Sequence, residues 1–208
     1  MKIKICGITN QEDAQMAVDA GADALGFLMY AKSPRCIEPA AAKRIIASLP
    51  PFVLPVGVFV NEDAATVRNL MDDCGFALAQ LHGDETAVYC QNLGRPSLKA
   101  LRLKDRSTFL ALAEFQGRAN VRGFVVDAFS EQAYGGTGRT VDWNLAAEAA
   151  RAAPVLLAGG LTPDNVGAAV NAVRPYGVDV SSGVEACPGK KDPAKVRAFI
   201  RAARLESA

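Results

Sequence analysis

The stretch "MKIKICGITNQEDAQMAVDAGADALGFLM", residues 1–29, carries the pattern on which the fold turns. Ile3 to Cys6 is a short apolar run, Gln11 to Ala20 is amphipathic, and Ala24 to Met29 is apolar again. A strand, a helix and a second strand in that order predict a parallel pair joined by a crossover helix. Gly7 supplies the turn out of the first strand, and Thr9 is placed to cap the helix.

The same unit recurs along the chain, and eight strand–helix pairs can be drawn. After the first two, strands are expected at Val56 to Val60, Ala77 to Leu81, Leu98 to Leu103, Gly123 to Asp127, Val155 to Ala158 and Val178 to Ser181. Helices are expected at Pro39 to Ser48, Glu62 to Cys74, Glu85 to Leu93, Arg106 to Gln116, Asp142 to Ala152, Pro163 to Val173 and Pro193 to Leu205. Pro55 has no N–H for a sheet ladder, so the third strand is expected to begin after it. Asn61, Thr162 before Pro163, and Asp192 before Pro193 are expected caps. Eight repeats in 208 residues, with no composition shift or low-complexity linker, predict one domain, residues 1–208. Its expected fold is an α/β (β/α)8 TIM barrel near the short end of that fold's size range. An open doubly wound sheet is the competing arrangement. The longest non-periodic stretch, "AFSEQAYGGTGRT" from Ala128 to Thr140, follows the sixth strand; a loop of that length in a compact chain is usually functional or mobile.

Composition narrows the function. Apolar residues make up 50% of the chain, and 23 Lys and Arg against 22 Asp and Glu leave a net charge of +1. No overall basic field draws nucleic acid or an anionic membrane, and the expected partner is a small molecule. Five cysteines at 6, 36, 74, 90 and 187 form no Cys-x-x-Cys pair, and His82 is the single histidine. That set suggests neither a disulfide framework nor a metal site, and free thiols in a reducing cytoplasm are expected. The first apolar run is too short for a signal peptide, and no segment approaches membrane-spanning length.

In such a barrel the C-terminal strand ends and the loops after them build the site, which makes Cys6, His82 and Asp127 candidates. Gly159-Gly160 in "LLAGGLTPDNV" and Ser181, Ser182 and Gly183 in "VDVSSGVE" put backbone N–H and hydroxyl donors after the seventh and eighth strands. Adjacent small-residue loops there match the usual phosphate position of the fold. Cys6 is either a small buried hydrophobe or a reactive thiol. A thiolate is within reach, because deprotonating a thiol of reference pKa about 8.5 at pH 7 costs only about 2 kcal/mol. Asp127 is a cap, a salt-bridge partner or a site carboxylate. Arg35, between Pro34 and Pro39 in the second strand–helix loop, is either a solvated residue or a bidentate grip for a carboxylate. His82 lines the site or serves its loop.

Two nucleotide motifs fail on spacing. "GTGRTV" reaches Val141 where the dinucleotide fingerprint needs Gly or Ala, and "GVEACPGKK" has one residue too many and Lys where a P-loop needs Ser or Thr.

Taken in order, "KICGIT", "GF" followed by "SPR", "VGVFVN", "QLHG", the strand-ending Asp127 followed by "GGTG", "LAGGLTPDNV" and "GVDVSSGVE" with "GKKD" resemble the blocks of the phosphoribosylanthranilate isomerase family. They span residues 2 to 192; Met29 stands where that family's pattern has an aromatic residue. The resemblance implies an Amadori rearrangement of N-(5-phosphoribosyl)anthranilate, with no metal or organic cofactor. It implies Cys6 as general base, Asp127 as general acid, Arg35 as the clamp on the anthranilate carboxylate, and Gly159, Gly160, Ser181, Ser182 and Gly183 as the phosphate seat. A monomer is expected over a homodimer. The rivals are the sister Amadori isomerase of histidine biosynthesis, whose pattern has an aspartate where Cys6 stands, and a sugar-phosphate sensor without chemistry.

Overall fold

The computed structural model describes residues 1–118, 120–128 and 142–205. Eight parallel strands close into a barrel in chain order: β1 (Lys2–Cys6), β2 (Ala24–Leu28), β3 (Leu54–Phe59), β4 (Leu78–Leu81), β5 (Ser97–Leu103), β6 (Val121–Ala128), β7 (Val155–Leu157) and β8 (Gly177–Val180). Closure is made by β8 pairing with β1, from Lys2 opposite Gly177 to Ile5 opposite Val180. Helices α1 (Gln11–Asp19), α2 (Pro39–Ile46), α3 (Ala64–Cys74), α4 (Ala87–Leu93), α5 (Ser107–Phe115), α6 (Trp143–Ala152) and α7 (Val166–Val173) follow the first seven strands. After β8 come a single 3-10 turn (Ser182–Val184), a two-stranded hairpin of β9 (Glu185–Cys187) and β10 (Lys190–Lys191), and then α8 (Pro193–Leu205).

Alternation along each strand builds two layers. On β1, Ile3 and Ile5 are fully buried in the large core between strands and helices, with Phe27, Phe59 and Phe199. Lys4 and Cys6 take the opposite face, toward the barrel axis. There a smaller apolar cluster of Leu98, Ala100, Val125 and Ala158, with Leu78 and Leu156 against it, fills the interior.

The third strand begins before Pro55, contrary to the sequence expectation. Leu54 donates its N–H to Asp23 O on the β2 side, and Pro55 presents its carbonyl to Ala77 N on the β4 side. The missing donor of Pro55 therefore faces a neighbour that joins the ladder only at Leu78, so no rung is lost. Two caps also move. Asn10, not Thr9, accepts from Asp13 N to start α1, and Asp63, not Asn61, accepts from Ala65 N and Thr66 N to start α3. Asp192 does accept from Ala194 N and Lys195 N at the start of α8. All five cysteines are free thiols, and among the described residues no helix is long and apolar enough to cross a membrane.

Candidate active site

Cys6 ends β1 with its side chain turned to the barrel interior, two residues beyond Lys4. Gly26, its partner on β2, makes the room: a Cβ there would lie 2.6 Å from Cys6 Sγ and 3.1 Å from Lys4 Cε. Lys4 Nζ donates to Asp179 Oδ2 at 2.8 Å, and both side chains are almost wholly buried. Burial alone would strip the Lys4 proton, yet Asp179 and Cys6 beside it hold the ammonium above its usual value. Burial pushes the Cys6 thiol up; Lys4 pulls it back, Asp179 adds to the rise, and Lys191 opposes it. The net direction is upward, so this dry strand end adds to the cost of forming a thiolate.

Gly7 turns the chain out of β1 with φ +76°, in the left-handed region that glycine enters without strain. A Cβ there would meet Arg35 Cδ and Ser181 Oγ at 2.8 Å and Lys191 Nζ at 3.4 Å, so three loops converge on it. Arg35 is not a solvated loop residue. Its Nε and Nη2 donate to Glu185 Oε1 and Oε2 at 2.9 and 2.8 Å, which commits one edge of the guanidinium to a protein carboxylate. The edge formed by Nη1 and Nη2 is the one left for a ligand. Lys191 Nζ joins the same carboxylate at 2.9 Å and donates to Ser181 O at 3.2 Å. Burial would push the Glu185 carboxyl up, but the Arg35 fork and the Lys191 ammonium outweigh it and hold the group below the usual carboxylate range.

The loops after β7 and β8 touch. Gly159 and Gly160 have φ of +81° and +64°, and Asn165 braces the loop by accepting from Thr162 N at 2.8 Å and donating to Gly160 O at 3.0 Å. Helix α7 starts at Val166, past the Pro163 start expected from sequence; Asn165 N and Val166 N both donate to Thr162 O and close a turn ahead of the regular helix. Against this loop lies Gly183, where a Cβ would fall 1.8 Å from Leu161 O. Ser182 and Gly183 sit in the single 3-10 turn, and Ser181 Oγ is buried without a hydrogen-bond partner.

Asp127, 6% exposed at the end of β6, and His82, in the turn after β4, form a second group. His82 Nε2 lies 3.3 Å from Asp127 Oδ2, a distance fit for an ion pair though not aligned as a hydrogen bond. Gln80 Nε2 lies 2.8 Å from His82 Nδ1. With that amide donating, the ring proton sits on Nε2 and faces Asp127. Buried Lys99 fixes the turn beneath His82 by donating to Leu81 O at 3.2 Å, Gly83 O at 2.7 Å and Glu85 Oε2 at 2.8 Å.

Chain closure thus brings Cys6, Arg35 and Ser181 together, while Asp127 and His82 stand on other strands of the same mouth. The stretch from 129 to 141, with its "GGTG" block, lies outside the described residues. Sequence reasoning missed Lys4, Asp179, Glu185 and Lys191. For Lys4 and Asp179 the available signal was charge at an inward position of an apolar strand, as in "KIKIC" and "GVDVS".

A thiol and a carboxylate on separate strand ends of one barrel mouth, beside two small-residue loops, define a barrel enzyme that moves protons on a small substrate. Residues 3–202 match the family described as N-(5'phosphoribosyl)anthranilate (PRA) isomerase. An N-(5'-phosphoribosyl)anthranilate isomerase from Pelobacter propionicus is 52% identical over 204 residues, covering 98% of this chain and 96% of that protein. The crystal structure of phosphoribosyl anthranilate isomerase from Thermotoga maritima superposes with a TM-score of 0.91 at 38% identity, covering 99% of each chain. Another, in complex with reduced 1-(o-carboxyphenylamino)-1-deoxyribulose 5-phosphate, gives 0.86 at 38% identity and 99% of each chain. The chain belongs to the phosphoribosylanthranilate isomerase family.

Proposed function

We propose that this chain, as one (β/α)8 domain, converts N-(5'-phosphoribosyl)anthranilate to 1-(2-carboxyphenylamino)-1-deoxyribulose 5-phosphate in tryptophan biosynthesis, with Cys6 as base and Asp127 as acid. Asp127 gives its proton to the furanose ring oxygen as the C1–O bond breaks, and the nitrogen lone pair forms an iminium. Cys6, as thiolate, removes the C2 hydrogen as a proton; the C–H pair forms the C1=C2 bond, the C=N π pair returns to nitrogen, and the enolamine results. That species tautomerises to the ketone as the C2 hydroxyl loses its proton and C1 gains one. His82 Nε2–H offers a donor to the carboxylate that Asp127 becomes. Arg35 holds the anthranilate carboxylate through its Nη1–Nη2 edge, and Gly159, Gly160, Ser181, Ser182 and Gly183 seat the phosphate.

The observation that carries this reading is the convergence on Gly7, where the base strand, Arg35 and Ser181 meet within one methyl group's reach. The proposed working unit is a monomer. A solved relative is described as mutually generated monomers of the dimeric Thermotoga maritima enzyme, and sedimentation at assay concentration decides the question here. Five free thiols fit a reducing cytoplasm. The test is a fluorescence assay following loss of phosphoribosylanthranilate generated in situ. Unchanged decay on adding the protein refutes the assignment.

A further inference from the structure

We infer that Lys4, through its charge beside the Cys6 thiol, is the positioning residue that sets the protonation of the base, and that Asp179 tempers it with the opposite sign. The inference rests on Cys6 being the base, and it is built from the barrel interior.

Lys4 and Cys6 are two apart on β1 and share one face. Both side chains reach the space that Gly26 leaves empty: the Cβ absent there would be 3.1 Å from Lys4 Cε and 2.6 Å from Cys6 Sγ. Lys4 Nζ is held by Asp179 at 2.8 Å, and from there its charge acts on the thiol beside it. A lysine 1% exposed inside a barrel needs a reason, because desolvating an ammonium is expensive unless it is paired. Asp179 supplies the pairing, but a paired cation alone would serve stability no better than an apolar pair of the same volume. A place beside Cys6 gives the pair a use.

The other charges near Cys6 are already engaged. Arg35, in the loop after β2, and Lys191, on β10, share the Glu185 carboxylate at 2.8 to 2.9 Å. From β2, Gly26 is the register partner of Cys6, and Asp127 and His82 belong to β6 and the turn after β4. Lys4, on the thiol's own strand face, is the cation that favours a thiolate most, Lys191 adds to it, and Asp179, on β8, is the anion that limits the effect. Burial, Lys4 and Asp179 push on the thiol in the directions this arrangement requires.

The two charges make opposite demands, and that separates a tuning role from a structural one. Lys4→Gln should raise the Cys6 titration midpoint by about one pH unit or more, and Asp179→Asn should lower it. Lys4→Arg, which keeps the charge, should bring it back toward the wild-type value. The midpoint is read as thiolate absorbance near the far-ultraviolet edge, each variant minus the same variant carrying Cys6→Ser, which removes the other four cysteines from the signal. If Lys4→Gln fails to fold with Asp179 left unpaired, the double variant Lys4→Gln/Asp179→Asn restores a neutral pair, and its midpoint should lie above that of Asp179→Asn alone. Equal midpoints in those two proteins, or single variants that move in the same direction, would overturn the inference. The alkaline-going limb of kcat/KM should move with the midpoint. Wild-type kcat in Cys6→Ser would remove Cys6 as base while leaving the titration result intact, so the two readings fail separately.

Discussion

A single methyl group at Gly183 tests whether the loops after β7 and β8 act as one seat. The Cβ of an alanine there would stand 1.8 Å from Leu161 O, where real Cβ contacts essentially never come under 3.0 Å. The two loops must separate by at least the difference, 3.0 − 1.8 = 1.2 Å, because the obstacle is backbone and not the end of a flexible side chain. Gly183 is not in the left-handed region, so Gly183→Ala adds no dihedral strain and acts through this approach alone. Misplacing a positioning group by about 1 Å can cost about 10²-fold, equal to about 2.7 kcal/mol of transition-state stabilisation. Phosphate is remote from the reacting carbons, so its lost binding energy should fall on KM and on kcat together. The fluorescence assay gives both constants, and a circular-dichroism melt shows that the barrel persists. Gly94→Ala is the control: its φ is +65° at the end of α4, but the nearest atom to the new Cβ is 4.0 Å away. It should lose roughly 1 to 2 kcal/mol of stability and no activity. Wild-type kcat/KM in folded Gly183→Ala, or an equal loss in Gly94→Ala, would refute the reasoning.

Three further outcomes are expected. Cys6→Ser and Asp127→Asn should each lower kcat by about 10²-fold or more with little change in KM, and the double variant should lose less than the product, as steady-state kinetics on folded protein will show. Arg35→Lys should weaken substrate binding by about 1 to 3 kcal/mol but leave a decarboxylated analogue unaffected; an equal loss on both ligands argues that Arg35 serves only Glu185. Glu185 has its folded-state pKa depressed, so its contribution to stability is present above the unfolded value and is lost as pH falls through the folded one. Thermal melts from neutral pH to below pH 4 should therefore show a steeper acid decline in wild type than in Glu185→Gln, and parallel curves would contradict the pairing.

The strands and helices were legible because each burial face imposes its own period on the residues, and that signal is local. Pro55 was misplaced because its cost depends on whether the neighbouring strand has started, which β3 does not encode. Thr162-Pro163 carries the usual cap chemistry, yet it is the Thr162 carbonyl that takes the Asn165 and Val166 N–H groups, and the regular helix starts only at Val166. At the site, Cys6, Asp127 and Arg35 stood out by position at strand ends and in a loop. The partner of Arg35 did not, since Glu185 is 150 residues away in sequence. Lys4 and Asp179, separated by 175 residues, become neighbours only through the register of the closing strands. A lysine between two isoleucines reads as an outward residue until closure turns that face inward.

The pairing of β8 with β1 also orders events during synthesis of the chain. Lys4 is made 175 residues ahead of its counter-ion. At about 5 to 20 residues per second, that is a wait of roughly 9 to 35 s. Through that interval the first strand is an open edge that carries an unpaired ammonium on the face destined for the interior. A chain stopped by premature termination before Gly177 would keep that edge for good. It would have neither Asp179 nor the Ser181 turn, so a truncated product becomes a substrate for chaperones and proteases and never a weak enzyme. Activity arrives all at once, when β8 and the turn after it have been made.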